Sequence, residues 1–253
     1  EKISLPNKII SLQANQTFVL SENIKVEFVH MTHSTPDTVM VALHTRHGIV
    51  LYATDFKLDN APVLGAKPNY NRLRQLGEKG IIVALVDSLY SKEDIKTPSE
   101  MVARELLRDA MLGVDSKGKA VIVTTFSSHI ARLKSIIDFG HQLNRKIVFL
   151  GRSLAKYCCA AEDVGIYPFS KEVELVKFGK HIKRRLREIE KKGREKFLLV
   201  VTGHQGEPKS TLSKMTNKIL PFNFKSGDHV IFSCKVIPAE INRKQRAVLD
   251  HTL

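Results

Sequence analysis

The sequence has 253 residues, which is enough for one large domain or two smaller domains with their own cores. Hydrophobic residues make up 43% and charged residues 26%, as is ordinary for a globular protein, and the absence of any apolar run near 20 residues excludes a membrane-spanning helix. The 40 Lys and Arg residues against 26 Asp and Glu residues give a net charge of +14, which favours an anionic partner such as nucleic acid over a generally basic surface without a dedicated partner.

Short strands are predicted for the first part of the chain, up to about residue 55. The runs that predict them are rich in β-branched or aromatic residues, and polar or Gly-containing turns separate them. Arg46, His47 and Gly48 favour a hairpin turn between the last two runs. The predicted strands are Thr17–Leu20, Ile24–His30, Val39–Leu43 and Ile49–Tyr52.

Helical stretches alternate with continuous apolar strands from about residue 70 onwards. Because such strands are buried on both faces, the pattern predicts an α/β fold with a mainly parallel sheet covered by helices on both faces. A boundary between the two parts is expected near residue 94. The predicted strands are Ile81–Val86, Ala120–Thr124, Lys146–Leu150, Lys196–Val201 and His229–Ser233. The predicted helices are Pro98–Met111, Ser128–Leu143, Ser153–Ala161 and Thr211–Asn217.

The helix Pro98–Met111 has a strong start pattern. Thr97 is predicted to be its N-cap, with Pro98 at the first helical position, where a missing N–H costs nothing. Glu100 follows the cap by three residues, which is the spacing of a capping box.

A run of charged residues extends from Lys180 to Lys196 around the helically spaced apolar residues Ile182, Leu186 and Ile189. The run favours a helix whose charged face is simply solvated. The alternative is a surface that attracts phosphate groups, because basic residues outnumber acidic residues within the run.

The three cysteines, Cys158, Cys159 and Cys234, do not form a C-x-x-C pattern. They exclude a disulfide framework or a zinc ribbon and, together with the absence of a signal-peptide pattern, predict a reducing, cytoplasmic location. The chain starts at Glu1 without Met and stops within a helix-like stretch, Glu240–Leu253. These ends predict a fragment of a longer protein.

Four apolar strands run into loops that are rich in small, hydroxylated or charged residues. In a parallel sheet such loops share one edge, the carboxyl ends of the strands, where these folds bind ligands. Small residues let backbone N–H groups approach an anion, and each following helix N-terminus favours negative charge. The loops therefore favour phosphate binding, although each alone is also explained by helix capping. They are 87–88, 125–129, 151–153 and 202–208.

His33 and Asp55 each follow a predicted strand in the first part of the chain. An imidazole and a carboxylate are good ligands for zinc or manganese. Their spacing alone does not separate a metal site from ordinary hydrogen-bonded loop residues.

A series of segments resembles, in order, the motifs of the ribonuclease J family, and their wording is closest to its archaeal branch. The segments are Thr32–Asp37, Thr54–Lys57, Asp87–Ser88, Thr97–Glu100, Thr124–Arg132, Leu150–Ser153, Thr202–Pro208, Phe232–Ser233 and Val236–Pro238. The resemblance implies that residues 1–94 are the second part of a metallo-β-lactamase αββα domain. Residues 95–253 would then be a β-CASP domain that is truncated at its C-terminus.

The resemblance also implies a hydrolase with two zinc ions that cuts RNA, mainly as a 5′-to-3′ exonuclease. His33 would bind one zinc, Asp55 would bridge both, and Asp87 would assist proton transfer or hold a ligand in place. The implied partners are single-stranded, 5′-monophosphorylated RNA and a second copy in a homodimer. The residues expected to bind RNA phosphates are Ser88, Ser128, His129, Arg132, Arg152, Ser153, His204, Gln205 and Glu207.

The sequence departs from the family pattern at the metal site. The first histidine-rich ligand cluster and the last two ligand histidines are absent, and His251 lies in a different context. The 253 residues alone are therefore expected to be inactive. Phe232–Lys235 also replaces a loop richer in Ser or Ala. Two alternatives remain: an RNA-binding relative without metal, and a sister β-CASP nuclease that acts on pre-mRNA ends or DNA.

Overall fold

The computed structural model describes residues 9–235 together with residues 237 and 243. It divides into two compact units, Glu1–Thr97 and Pro98–Leu253. Apart from Arg243, the helix predicted for Glu240–Leu253 lies outside the described residues. None of the helices that the structure describes is long and apolar enough to cross a membrane. All three cysteines are free thiols.

The described part of the first unit, residues 9–97, contains a mixed five-stranded sheet and one helix. Neighbouring strands are antiparallel from β1 to β4, and β5 joins β4 in parallel. The predicted hairpin turn joins β3 to β4, where Thr45 pairs with Gly48. Gly48 has φ +136°, a backbone conformation that L side chains rarely adopt. The elements are β1 (Thr17–Ser21), β2 (Ile24–His30), β3 (Val39–Thr45), β4 (Gly48–Tyr52), α1 (Tyr70–Lys79) and β5 (Ile81–Leu85).

Helix α1 covers the sheet of this unit through Leu76, which is fully buried. Asn69 caps the helix, since its side-chain oxygen accepts a hydrogen bond from the Arg72 backbone N–H at 3.1 Å. The Arg72 guanidinium donates to both carboxylate oxygens of Glu27 on β2. This hydrogen bonding, together with that from His44, lowers the pKa of Glu27 against the effect of burial. The ion pair therefore fixes α1 to the sheet. The core residues are Val29, Met31, Met40, Ala42, Ile49, Leu51, Ala53 and Leu76.

The second unit is built on a five-stranded sheet in the order β10-β6-β9-β7-β8, and all its neighbouring strands are parallel. This confirms the predicted α/β class with a parallel sheet. The strands are β6 (Val121–Thr124), β7 (Lys146–Leu150), β8 (Glu174–Val176), β9 (Phe197–Val201) and β10 (His229–Phe232). The helices are α2 (Glu100–Leu112), α3 (Ile130–Gln142), α4 (Arg152–Asp163), α5 (Phe169–Glu172), α6 (Gly179–Lys192) and α7 (Thr211–Thr216).

The three central strands, β6, β9 and β7, are buried along almost their whole length. Their continuous apolar sequence is explained by this two-sided burial. Helix α6 buries the apolar residues of the charge run, Ile182, Leu186 and Ile189, in the same core and leaves most of its charged residues exposed. The charge run is therefore an amphipathic helix, as predicted.

The start of α2 differs from the prediction. Ser99, and not Thr97, is the N-cap, and its Oγ accepts a hydrogen bond from the Val102 backbone N–H at 3.4 Å. Glu100 is the first helical residue, and its side chain is buried in the protein interior instead of completing a capping box. Both Thr97 and Ser99 can cap a helix, so tertiary contacts of Glu100 decide between them.

Gly140 lies where α3 packs closely on the sheet. A Cβ atom there would lie 2.7 Å from Leu198 Cδ2 and 2.8 Å from Ile147 Cδ1. We expect Gly140→Ala to destabilise the protein by about 1 kcal/mol, because overpacking costs about 1–3 kcal/mol and the gain in helix propensity offsets only about 1 kcal/mol. Urea denaturation measures the change.

Gly77 in α1 provides the matched control, because an added Cβ would meet no heavy atom within 4 Å. Gly77→Ala should increase stability by up to about 1 kcal/mol through helix propensity alone. If both substitutions stabilised the protein, the close packing of α3 on the sheet would be disproved.

Candidate functional site

An open pocket of about 570 Å³ lies in the first unit, at the ends of β4 and β5. The three residues with predicted roles in metal chemistry, His33, Asp55 and Asp87, all line it, and all three are exposed. The structure therefore brings together residues that lie far apart in the sequence. The complete lining is His33, Thr38, Tyr52, Ala53, Thr54, Asp55, Leu85, Val86 and Asp87.

Backbone hydrogen bonds hold the loops that carry these residues. The loop with His33 is closed at its base by the Met31 N–H, which donates to the Thr38 carbonyl at 2.7 Å. The Ala53 N–H donates to the Leu85 carbonyl at 2.8 Å and joins the ends of β4 and β5 just before Asp55 and Asp87. These bonds extend the strand pairing into the loops, so the sheet determines the backbone positions from which the three side chains project.

Two of the three side chains have local hydrogen-bond partners. His33 Nδ1 lies 3.2 Å from the Ser34 hydroxyl oxygen. Asp87 Oδ1 accepts a hydrogen bond from the Leu89 backbone N–H at 3.1 Å, which folds the residues after β5 into a tight turn. Ser88 lies within this turn and is exposed.

An imidazole and two carboxylates suit a hard or borderline divalent cation. Among the described residues, however, no group of three or more His, Cys, Asp or Glu side chains is close enough to hold a metal ion. The three side chains supply donors to a shared pocket and do not form a metal centre by themselves.

The second unit aligns its strand ends in one row. Thr124, Leu150, Val176, Val201 and Phe232 are the last residues of their strands, and they pair across the sheet in register. The predicted phosphate-binding loops after β6, β7 and β9 therefore lie side by side at one edge, as parallel strands require.

Arg152 and Ser153 are the most accessible of the predicted phosphate-binding residues in this row, and both are exposed at the start of α4. The first turn of α4 contains no acidic residue, so the positive end of the helix dipole is not neutralised there. Ser128 and His129, at the start of α3, are half-buried.

Arg132 lies in the interior, where its guanidinium is bonded within the protein. Its Nε and Nη2 donate to the Glu100 carboxylate at 2.6 and 3.0 Å, and its Nη1 donates to the Ser233 carbonyl at 2.6 Å. His129 Nε2 lies 3.4 Å from the same carboxylate. Burial raises the pKa of Glu100, but hydrogen bonds from His129 and Arg132 outweigh this effect and lower the pKa to about 2. This network, which we call the Glu100 network, joins α2, α3 and the end of β10.

The loop after β9 is also largely internal. His204 is buried, with its ring centroid 3.9 Å from that of Phe126. Gln205 is buried as well, and its side-chain amide bonds to the Lys235 carbonyl and the Ile237 N–H at 3.1 and 2.9 Å. Glu207 accepts a hydrogen bond from the Gln205 N–H at 3.0 Å. This loop therefore holds the chain segment that follows β10.

The predicted phosphate-binding residues thus separate into three groups by burial. Ser88, Arg152 and Ser153 are exposed, and Arg132, His204 and Gln205 are buried among protein partners. The remaining three, Ser128, His129 and Glu207, are half-buried. For all nine residues, a contact with phosphate stays a prediction. The internal partners Glu100 and Ser233 were not predicted from the sequence. A buried arginine needs an anionic partner, but the sequence does not show which residue supplies it, because Glu100 lies 32 positions away.

Comparison with known proteins agrees with this architecture. Residues 118–250 match the model of the ribonuclease J β-CASP domain. Ribonuclease J from Methanocaldococcus jannaschii is 39% identical over 253 residues, which is 100% of this chain and 56% of the relative. Ribonuclease J from Pyrococcus abyssi is also 39% identical and is matched over 55% of its length. Ribonuclease J from Helicobacter pylori is 34% identical over 216 residues, or 84% of this chain and 29% of the relative.

A crystal structure of a protein of unknown function from Enterococcus faecalis shares the fold, with a TM-score of 0.56 and 13% identity. The match covers 98% of this chain and 53% of that one. The chain thus spans about half the length of the curated relatives that match it throughout. The β-CASP match covers more than half of the chain and lies within the second unit. The chain belongs to the ribonuclease J family.

Proposed function

We propose that this chain is part of a zinc-dependent ribonuclease that hydrolyses RNA phosphodiester bonds, mainly as a 5′-to-3′ exonuclease. The observation that carries the proposal is the convergence of His33, Asp55 and Asp87, from three separate loops, on one open pocket. In a chain of this family, an imidazole and two carboxylates around a shared space support metal-assisted hydrolysis.

The three side chains have distinct proposed roles. His33 would bind one zinc ion, and the Asp55 carboxylate would be shared between two zinc ions. Asp87, beside them, accepts or delivers a proton or holds a ligand in place. Bound zinc would supply a hydroxide near neutral pH and neutralise charge on the phosphate. Among the described residues, these three side chains are not close enough to hold a metal ion by themselves, so the proposal includes further ligands.

The row of loops in the second unit is the proposed RNA-binding part. Arg152 and Ser153 are exposed there and can donate to phosphate oxygens, with support from the N-terminus of α4. The net charge of +14 favours RNA through its phosphates. We propose single-stranded, 5′-monophosphorylated RNA as the substrate and a homodimer as the working form.

The test measures decay of end-labelled RNA with zinc and with a chelator, and it uses the intact protein of which this chain is proposed to be a part, because the 253 residues alone are expected to be inactive. We expect decay with zinc, loss of decay with chelator, and faster decay of 5′-monophosphorylated than of 5′-hydroxyl RNA. Appearance of mononucleotides before internal fragments would support the exonuclease. Tight RNA binding without metal or decay would instead support a non-catalytic relative. Cleavage of DNA in preference to RNA would support a sister nuclease.

A further inference from the structure

The loop after β8 occupies the outer end of the row of strand ends in the second unit. Val176 pairs with Leu150, and its carbonyl accepts the Gly151 N–H at 3.0 Å, so Lys177 and Phe178 lie at the same edge as the loops discussed above. Three strand spacings of about 4.8 Å separate β8 from β6 along this row. A strand of RNA that follows the edge would therefore reach this loop within about 15 Å.

Phe178 is exposed although it is large and apolar. Its relative exposure is 57%, and its ring contacts the His181 ring edge-to-face with a centroid distance of 6.1 Å. Because its side chain lies outside the core, its hydrophobicity contributes little to the fold. The two rings border a groove of about 340 Å³ between β8 and α6, a volume within the range of ligand sites.

The outward face of α6 carries a stripe of cations. Its members repeat at intervals of three and four residues, which places them on one side of the helix over about 16 Å. All five are exposed, and among the described residues only Arg184 has an ion pair, a loose one of 3.8 Å to Glu188. They are Lys180, Lys183, Arg184, Arg187 and Lys191.

The acidic residues of the groove are already neutralised. Arg185, on the inward side of α6, pairs with Glu174 at 2.7 Å and with Glu188 at 3.1 Å. The groove therefore presents two rings and the cation Lys177 to a partner, and the cation stripe lies beside it on the same helix. The first turn of α6 contains no acidic residue, so the helix dipole adds to the positive potential there.

We propose that Lys177, Phe178, His181 and the cation stripe of α6 form a second RNA-binding surface, where unpaired bases stack on Phe178 and phosphates contact the cations. The inference rests on the proposed function, because it extends the same RNA-binding edge. Stacking on an exposed ring requires unpaired bases, which selects single-stranded over double-stranded RNA. An acidic peptide strand fits less well, because β8 offers only three residues for pairing.

The test measures binding of single-stranded RNAs of about 5 and about 20 nucleotides by fluorescence anisotropy. Phe178→Ala should weaken binding of the longer RNA about tenfold, since stacking of one base contributes on the order of tenfold or more. Phe178→Tyr should bind like the parent protein. Because Phe178 is exposed, thermal denaturation should be unchanged in both variants.

Charge reversal tests the cation stripe. Lys180→Glu with Arg184→Glu should weaken binding of the longer RNA. The slope of log K against the logarithm of salt concentration should become shallower by about 1.4, the value for two phosphate contacts on a single strand. The control, Lys117→Glu with Lys225→Glu, makes the same charge change at exposed positions before β6 and β10, and should have little effect.

The inference would be overturned if Phe178→Ala, the charge-reversed stripe variant and the control all bound the longer RNA as tightly as the parent protein. If these variants lost binding to a polyglutamate peptide that the parent protein binds, and their RNA binding was unchanged, the inference would be overturned in favour of a protein partner. Decay of the shorter RNA by the intact protein is measured in parallel and reports on the proposed function. If the intact protein degrades no RNA but Phe178→Ala still weakens binding of the longer RNA, the inference stands and the proposed function fails.

Discussion

Replacement of Asp55 by alanine in the intact protein is expected to reduce RNA decay by more than about 100-fold, since loss of residues that only support metal ligands already costs about 10- to 100-fold. Asp55 is exposed at the end of β4 and makes few contacts that the fold needs, so stability should change by less than about 0.5 kcal/mol. RNA binding through the second unit should persist. The measurements are decay rate, bound zinc and RNA affinity of the same preparation.

Asp94→Ala is the control for this prediction, because Asp94 is an exposed carboxylate of the same unit that does not line the pocket. Its decay rate and zinc content should equal those of the parent protein. Undiminished decay of 5′-monophosphorylated RNA by Asp55→Ala would remove Asp55 from the active site. Loss of decay with full zinc content would assign it a role other than metal binding.

Replacement of Glu100 by glutamine is expected to destabilise the second unit by about 3–5 kcal/mol. The Arg132 side chain is only 10% exposed, and Glu100 supplies its counter-charge at 2.6 Å. Without the carboxylate, a buried cation would lack an anionic partner, and the joint between α2, α3 and the end of β10 would weaken. Urea denaturation monitored by circular dichroism measures the loss.

The same ion pair predicts a dependence of stability on pH. The pKa of Glu100 is about 2 in the folded protein and 4.5 in its ordinary range, so the unfolded chain binds this proton more readily. The stabilisation is therefore complete above about pH 4.5 and is lost as pH falls towards about 2. Linkage over this interval amounts to about 3 kcal/mol, which Glu100→Gln should remove from the pH profile.

Glu105 provides the comparison for Glu100. It lies on the same helix, and its side chain is 45% exposed and paired with Arg108 at the surface. Glu105→Gln should cost less than about 1 kcal/mol and leave the acid limb of the profile unchanged. If the two glutamine variants lost equal stability, the Glu100 network would be no stronger than a surface ion pair.

Most of the strands and longer helices of the fold could be predicted because hydrophobic patterning determines them, although helix α1 was not among the predicted elements. The run Lys146–Leu150 is apolar after its first residue, and the observed β7 has the same bounds. Two short elements, α5 and β8, could not be predicted in this way. Helix α5 has four residues and β8 has three, and neither is long enough to show a period. Tertiary pairing with β7 makes β8 a strand.

The position of the site was more predictable than the contacts within it. Parallel strands that end together bring their loops together, so Arg152 and Ser153 could be placed at one edge before any coordinates. The burial of Arg132 and Gln205 could not be foreseen, because their partners lie 32 and 30 positions away. Sequence patterns give the residue types at a sheet edge, and packing decides which of them face solvent.

The strand order of the second unit also determines when during synthesis it can fold. Its central strands β6 and β9 are neighbours in space but far apart in the chain. The hydrogen bond between Thr125, which follows β6, and Ser233, which follows β10, spans 108 positions. Such long-range pairing is slow, since the loops between partners have to close first. A nascent chain that ends before β10 would leave one edge of β6 without its partner, exposed to pairing with other chains. The unit therefore depends on β10 to protect the edge of β6.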